Sequence, residues 1–255
     1  MPNALLLAIF VVLVANLAVS ALLLRKVRRL DKRTWSWAQE QSRAFDNNYR
    51  QMESLLALYA ELRPAASLPG TRGWAASPDF LLHIVRAANE HKPAVIVECS
   101  CGTSTLVLAR ACQLNGIGHV YSLEHEPQFA EITRGHLRRH GLDAWATVLD
   151  APLATSPLTQ TPWYTNLALP NQPIDMLIVD GPPGALAPHA RHPAGPHLFD
   201  RLARGGRIYM DDMVRASEQE TVMRWLQEFP GLQRTDLPAE KGACVLRMTG
   251  QAARA

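Results

Sequence analysis

The sequence predicts an α/β fold: a doubly wound, mainly parallel sheet, preceded by one transmembrane helix and an amphipathic connecting helix. Three observations predict it. From Ala94 onward, short apolar runs alternate with helical segments, the pattern of strands joined by crossover helices. Successive runs close on carboxylates, at Glu98, Glu124, Asp150, Asp180 and Asp211–Asp212. Ahead of them all, Ala4 to Leu24 reads ALLLAIFVVLVANLAVSALLL without a single charge.

Those twenty-one uncharged positions, at about 1.5 Å each, make a helix of roughly 31 Å, enough to cross a hydrocarbon core. Only Asn16 and Ser20 are clearly polar, and such residues do not prevent insertion. A cleaved signal peptide is the competing reading, with Ala18-Val19-Ser20 as its cleavage site. Against it, a signal peptide starts basic and has a shorter apolar run. Here Met-Pro-Asn comes first and the basic residues follow: Arg25, Lys26, Arg28, Arg29, Lys32 and Arg33. Positive residues stay on the cytoplasmic side, so the expected topology is single-pass, with the main domain facing the cytoplasm. The same cluster can lie against anionic headgroups. The expected division is an anchor over 1–24, a basic juxtamembrane and connecting helix over 25–64, and one globular domain over 65–255.

The formal charge of +3 is unevenly spread. The basic cluster, less Asp31, contributes +5, and the remaining 20 basic and 22 acidic residues sum to −2. A nearly neutral domain has no electrostatic footprint for nucleic acid, so none is expected as a partner. No two of the four cysteines have the C-x-x-C spacing of a zinc or redox site, and reduced thiols are expected.

Between Leu30 and Arg63 there is neither Gly nor Pro. Phe45, Asn48, Met52, Leu55, Tyr59 and Leu62 recur at alternating spacings of three and four, the stripe of an amphipathic helix. It packs on the domain or forms the seam of a homodimer. Residues 64–76 form a Pro- and Gly-rich loop, and Ser77-Pro78-Asp79 starts a helix. Strands are expected at Ala94–Glu98, His119–Leu123, Thr147–Leu149, Ile174–Val179, Arg207–Met210, Leu232–Asp236 and Ala243–Met248. Helices are expected at Thr103–Gln113, Pro127–His140, Pro196–Ala203 and Ser217–Phe229. Residues 151–173 show no clear element, and Trp163-Tyr164 in their midst reads as a lid, a substrate wall or a hydrophobic plug. Trp74 is given a similar part.

In an open parallel sheet a ligand sits beyond the carboxyl ends of the strands. Glu98 runs into Cys99-Ser100-Cys101-Gly102-Thr103-Ser104, small residues opening a helix whose free N–H groups face that ligand. Glu124, some twenty residues on, is placed to accept both hydroxyls of a ribose. Asp150 is placed to accept from an adenine amino group. Any one of these acids alone reads equally well as a turn or helix cap; the five together specify a site.

The order E-x-S-x-G-x-S, Glu124, Asp150, V-D-G-P-P-G and G-G-R-I-Y-M-D-D resembles the class I S-adenosylmethionine-dependent methyltransferases over about residues 75–248. Nearest are small bacterial O-methyltransferase-like members, some with an N-terminal membrane helix. The resemblance implies a Rossmann-like seven-stranded sheet with its last strand antiparallel. It also implies cofactor contacts from Glu98, Ser100, Gly102, Thr103, Ser104, Glu124, Asp150 and Asp180. Gly102 and its neighbours would line the methionine, Glu124 the ribose, Asp150 the adenine edge, and Asp180 the methionine end and the substrate. The family usually has Gly where Ser100 stands; Ser fits at a negative φ, whereas a positive one costs about 1 kcal/mol or more.

Methyl transfer needs an acceptor aligned with the methyl carbon and a group to take its proton. Asp180 and His192, the latter in a loop with His189, Arg191 and His197, are the candidates. Arg191 can pair with an anionic acceptor. Asp180, Asp211 and Asp212 can together bind Mg²⁺ or another divalent cation that acidifies an acceptor hydroxyl. The alternative is that Asp180 orients the cofactor and the other two cap a helix. The expected acceptor is an oxygen on a small-molecule, glycan or lipid-linked substrate. Two rivals remain: a non-catalytic cofactor-binding membrane scaffold, and an NAD-dependent oxidoreductase. Residues 99–104 lack the G-x-G-x-x-G that pyrophosphate requires.

Overall fold

The computed structural model describes residues 2–165 and 167–249. Residues 250–255, which the sequence assigns to the domain, lie outside the described residues. The chain falls into two compact units, Met1–Arg50 and Gln51–Ala255.

The described residues of the first unit, from Pro2 on, are helical and form part of α1 (Pro2–Leu62). Two expected segments, the apolar run and the connecting helix, are thus one helix, since no Gly or Pro interrupts it after Pro2. It is the one helix among the described residues long and apolar enough to cross a membrane, by length and composition alone. Its apolar side chains are exposed from Leu5 to Leu24.

The second unit opens with the end of α1 and continues through α2 (Pro78–His91), β1 (Val95–Cys99), α3 (Thr103–Asn115) and β2 (His119–Glu124). Then come α4 (Pro127–His140), β3 (Ala146–Asp150), β4 (Leu153–Thr155), β5 (Pro162–Tyr164) and β6 (Ile174–Val179). The remainder is α5 (Ala194–Leu198), β7 (Leu202–Met210), α6 (Ala216–Glu228), β8 (Leu232–Leu237) and β9 (Ala243–Met248). Seven strands form one sheet in the order β3-β2-β1-β6-β7-β9-β8. β3, β2, β1, β6 and β7 are parallel, and β9 runs antiparallel to both its neighbours. From β1 the chain winds outward one way through β2 and β3, then returns to the other side of β1 with β6. The crevice at this reversal is where ligands bind in such sheets.

Both faces of the sheet are covered, so its central strands are apolar on both sides. All five residues of β1 are buried. On one face Phe80, Ile84, Leu106 and Leu108 join Leu58 and Leu62 from the end of α1. On the other, Phe199 meets Trp225 and Phe229 edge-on, with ring centroids 5.1 and 5.0 Å away.

Leu58 and Leu62 are fully buried, which puts the last turns of α1 inside the domain core. Each is worth about 1.5–3 kcal/mol of burial. A chain starting at Ala65 is therefore expected to be roughly 3–6 kcal/mol less stable than one starting at Gln51. Urea unfolding of the two checks this; equal midpoints would contradict it.

Two elements differ from the sequence expectation. The helix expected over Pro196–Ala203 stops at Leu198, because Leu202 is drawn into pairing with Ile174 and β7 begins there. Gly205-Gly206 lies within that strand, where the register slips between Ile174 and Met176. Within residues 151–173, β4 and β5 form an antiparallel hairpin, Leu153 opposite Tyr164 and Thr155 opposite Pro162. Strands this short, with Pro152 and Pro157 on either side of β4 and Pro162 opening β5, show no alternation to read.

Candidate functional site

Parallel register brings the strand-end carboxylates to one rim. Glu124 lies directly opposite Asp150, and Val179, just before Asp180, lies opposite both Cys99 and Met210. The eight residues implied as cofactor contacts, with Asp211 and Asp212, divide into three groups.

The first is a buried brace. Glu98 is fully buried and accepts from Thr105 Oγ1 at 2.6 Å and Ser122 Oγ at 2.7 Å. Burial raises its pKa, and the hydroxyls of Ser104, Thr105 and Ser122 work against that rise. Glu98 thus ties β1 to β2 and to the first turn of α3, bracing the loop of residues 100–102 between them. Thr103 and Ser104 are also buried; Thr103 Oγ1 donates to the carbonyl of Gly70 at 3.0 Å.

The second group faces the crevice on the β1–β2 side. Glu124 Oε1 accepts from the backbone N–H of His125 at 2.8 Å and of Glu126 at 2.9 Å, which fixes the carboxylate at the β2 end. Its Oε2 is 3.2 Å from Cys101 Sγ. Burial, reinforced by the Glu124 charge, raises the pKa of that thiol, so it stays protonated and donates. Asp150 is exposed and paired with Arg134 Nη2 at 2.9 Å.

Ser100 takes the strained option. Its φ is +118°, and Gly102 beside it has φ +149°. A non-glycine residue there costs about 1–3 kcal/mol. Ser100→Gly relieves that strain at a small cost in unfolded-chain entropy. The variant is expected to be more stable by about 1 kcal/mol, read as a higher urea midpoint; a lower midpoint would show that Ser100 is held by favourable contacts.

Gly181 follows Asp180 where no side chain fits. A Cβ there would lie 2.6 Å from Tyr164 Oη, 3.0 Å from the Cys99 carbonyl and 3.1 Å from Ser100 Cβ. The hairpin therefore brings Tyr164 close to Gly181, beside the loop that follows β1, a placement that sequence reasoning did not reach. Tyr164 Oη and Trp163 Nε1 are buried without hydrogen-bond partners. Trp163 stacks on His197 with centroids 5.9 Å apart, while Trp74 is 89% exposed.

The third group is the acidic cluster. Asp180, Asp211 and Asp212 present carboxylate oxygens within 4.8 Å of one another. Arg191, rather than a histidine of its loop, meets them: Nη2 lies 3.2 Å from Asp180 Oδ1 and 2.6 Å from Asp212 Oδ2. Nη1 donates to the Asp211 carbonyl at 3.1 Å. Burial opposes the guanidinium charge, but Asp180, Asp212 and Glu218 hold it protonated. Arg215 reaches the same Asp212 Oδ2 at 3.0 Å. A divalent cation does not fit here, because a guanidinium already lies against two of its three carboxylates. His192 is elsewhere, its Nε2 2.9 Å from Glu228 on α6, and His189 bonds the Ser217 carbonyl.

Burial, with Asp180 and Asp212 alongside, pushes Asp211 up to about 7; burial pushes Asp180 up to about 6, against the pull of Arg191. Unfolded, both release their protons near 3.8. Between these values the native state binds more protons than the unfolded one, so this stability is full below pH 3.8 and is lost as pH rises through about 6 to 7. Asp211→Asn keeps the shape without the titration and is expected to flatten this fall. Urea midpoints across the window check it; an unchanged slope would contradict it.

Comparison with known proteins fits this geometry. Residues 97–213 match the model of a methyltransferase domain. Cofactor-bound Rv0187 from MTB is 22% identical, with a TM-score of 0.53 over 77% of this chain and 90% of that one. The SAH-bound methyltransferase PaMTH1 of Podospora anserina is 16% identical, with a TM-score of 0.56 over 77% and 88%. A methyltransferase from Geobacter sulfurreducens is 16% identical, with a TM-score of 0.51 over 77% and 90%. No curated protein sequence matches. Residues 97–213 thus resemble the methyltransferase-domain family, and the sheet has the Rossmann-like fold of the methyltransferases it superposes on.

Proposed function

We propose that this protein transfers a methyl group from S-adenosylmethionine to an oxygen acceptor, on a small, glycan or lipid-linked substrate, at the cytosolic face of a membrane. The observation that carries the reading is the reversal of strand order between β1 and β6, with the strand-end carboxylates on one rim. There a fixed, buried carboxylate, Glu124, stands beside the glycine-containing loop that opens α3. Glu124 accepts from the ribose hydroxyls. Asp150 is exposed at the end of the neighbouring strand, at the adenine edge. The α3 N-terminus after Gly102 offers its free N–H groups to the methionine carboxylate.

In the transfer, the acceptor oxygen forms a bond to the methyl carbon as the carbon–sulfur bond breaks. The electron pair stays on sulfur, which becomes a neutral thioether, and the acceptor loses its proton. Asp180 is the group positioned to take that proton, being ionised at neutral pH and partly reachable, with 13% of its side chain exposed. His192, the other candidate, has its imidazole Nε2 engaged with Glu228 on α6, away from the three aspartates, so this reading takes Asp180 as the base. What supports a membrane location is the apolar, charge-free run of α1 and the basic residues that follow it.

One reaction tests the acceptor. Full-length protein in nanodiscs is incubated with methyl-labelled cofactor and extracts of the membrane and of the soluble fraction. Label in an acid-stable, base-sensitive or ether-linked lipid product supports the reading, and label confined to soluble amines would overturn it. A second reading, cofactor binding without turnover, is favoured by the strained Ser100 and by the Cys101 thiol on Glu124. Tight binding with no labelled product in either fraction would establish it.

A further inference from the structure

We infer that Arg191 is a built-in substitute for a divalent cation, so that Asp180, Asp211 and Asp212 form a metal-free site. The inference rests on the methyltransferase reading only for what such a cation would do. Three carboxylates within 4.8 Å, at the ends of adjacent strands, form a donor set suited to a hard cation. Left alone they would repel one another, and two charged carboxylates that close cannot both stay ionised without a counter-ion. Arg191 supplies one. It is 3% exposed, and its Nη2 lies between Asp180 and Asp212. Nη1 holds the Asp211 backbone, so the guanidinium is fixed by the same strand end it neutralises.

The cluster is balanced in detail. Arg215 shares Asp212 Oδ2, and Glu218 approaches both arginines, at 4.0 Å from Arg191 Nε and 3.8 Å from Arg215 Nη1. Asp211 Oδ1 accepts its neighbour's N–H at 2.8 Å, and its buried Oδ2 has no partner. No lone pair of Asp212 Oδ2 is left for a metal without expelling an arginine. A guanidinium also differs from a cation in what it permits: it orients and neutralises Asp180 but carries no open coordination position for an acceptor oxygen. Arg191 is thus a positioning residue, and the acceptor's proton passes to Asp180 without prior acidification on a metal.

The test is a Mn²⁺ titration of the full-length chain in nanodiscs, reading the free-ion signal by electron paramagnetic resonance. Wild type and Asp212→Asn are expected to give the same curve, with no ion bound at the cluster. Arg191→Ala is expected to gain one bound Mn²⁺ per chain at micromolar affinity, to melt at a higher temperature when Mn²⁺ is added, and to lose both effects on adding Asp212→Asn. Wild-type binding that Asp212→Asn abolishes would overturn the inference. So would a folded Arg191→Ala, by near-UV circular dichroism, that gains no ion. If Arg191→Ala does not fold, the wild-type and Asp212→Asn curves decide alone. Binding of adenosylmethionine is measured separately, so its failure would leave this result standing and sink only the methyltransferase reading.

Discussion

Glu124→Ala is expected to abolish measurable adenosylmethionine binding while leaving the domain folded. The carboxylate is held by two backbone N–H groups and presented at the end of β2, where a ribose sits in a sheet of this topology. Two charge-assisted hydrogen bonds to ribose hydroxyls are worth roughly 3 kcal/mol together, a loss of at least about a hundredfold in affinity. The cost to folding is smaller, about 1 kcal/mol for a lost cap on the turn entering α4. Calorimetric titration beside a thermal melt separates the two effects. Unchanged affinity would mean that the ribose is bound elsewhere, with Glu124 serving only as that cap.

Arg191→Met is expected to be the most destabilising single change in the domain, by roughly 3–5 kcal/mol. The methionine keeps much of the volume but leaves Asp180 buried without its cation and Asp212 with the half-exposed Arg215 alone. The penalty comes from the uncompensated charges rather than from the lost bonds. Adding Asp212→Asn to the same chain, which removes one of those charges, should therefore recover part of the loss. Urea denaturation of wild type, single and double variants checks this. If the double variant is less stable than the single by the full effect of Asp212→Asn alone, the two residues are not coupled and the account of the cluster is wrong.

The fold was legible because its signals are local and repeated. VIVE, VYSLE and IDMLIVD are apolar runs bounded by turns, and Gly141 closes α4 in the left-handed conformation that the sequence suggests. The site was legible in outline for a related reason: an acid at each strand end lands on one rim once the strands are parallel. What the sequence hid is tertiary. Nothing near Glu98 marks it as a buried brace; that depends on Thr105 and Ser122 arriving from two other elements. Arg191 and His192 are adjacent and equally polar, yet one meets Asp180 and the other meets Glu228. Only the path of the loop into α5 decides which. Tyr164 was visible as an aromatic in a proline-broken segment, but its approach to Gly181 needed the hairpin. The glycine missing at Ser100 was visible; its φ of +118° was not.

The central claim is that the crevice between β1 and β6 holds adenosylmethionine. Its most direct test is calorimetric titration of the full-length chain in nanodiscs with adenosylmethionine and, separately, with NAD, each with and without Mg²⁺. The account predicts micromolar binding of adenosylmethionine, the same whether or not Mg²⁺ is present, and no heat from NAD. Binding of NAD in preference to adenosylmethionine, or no binding of adenosylmethionine at all, would contradict it.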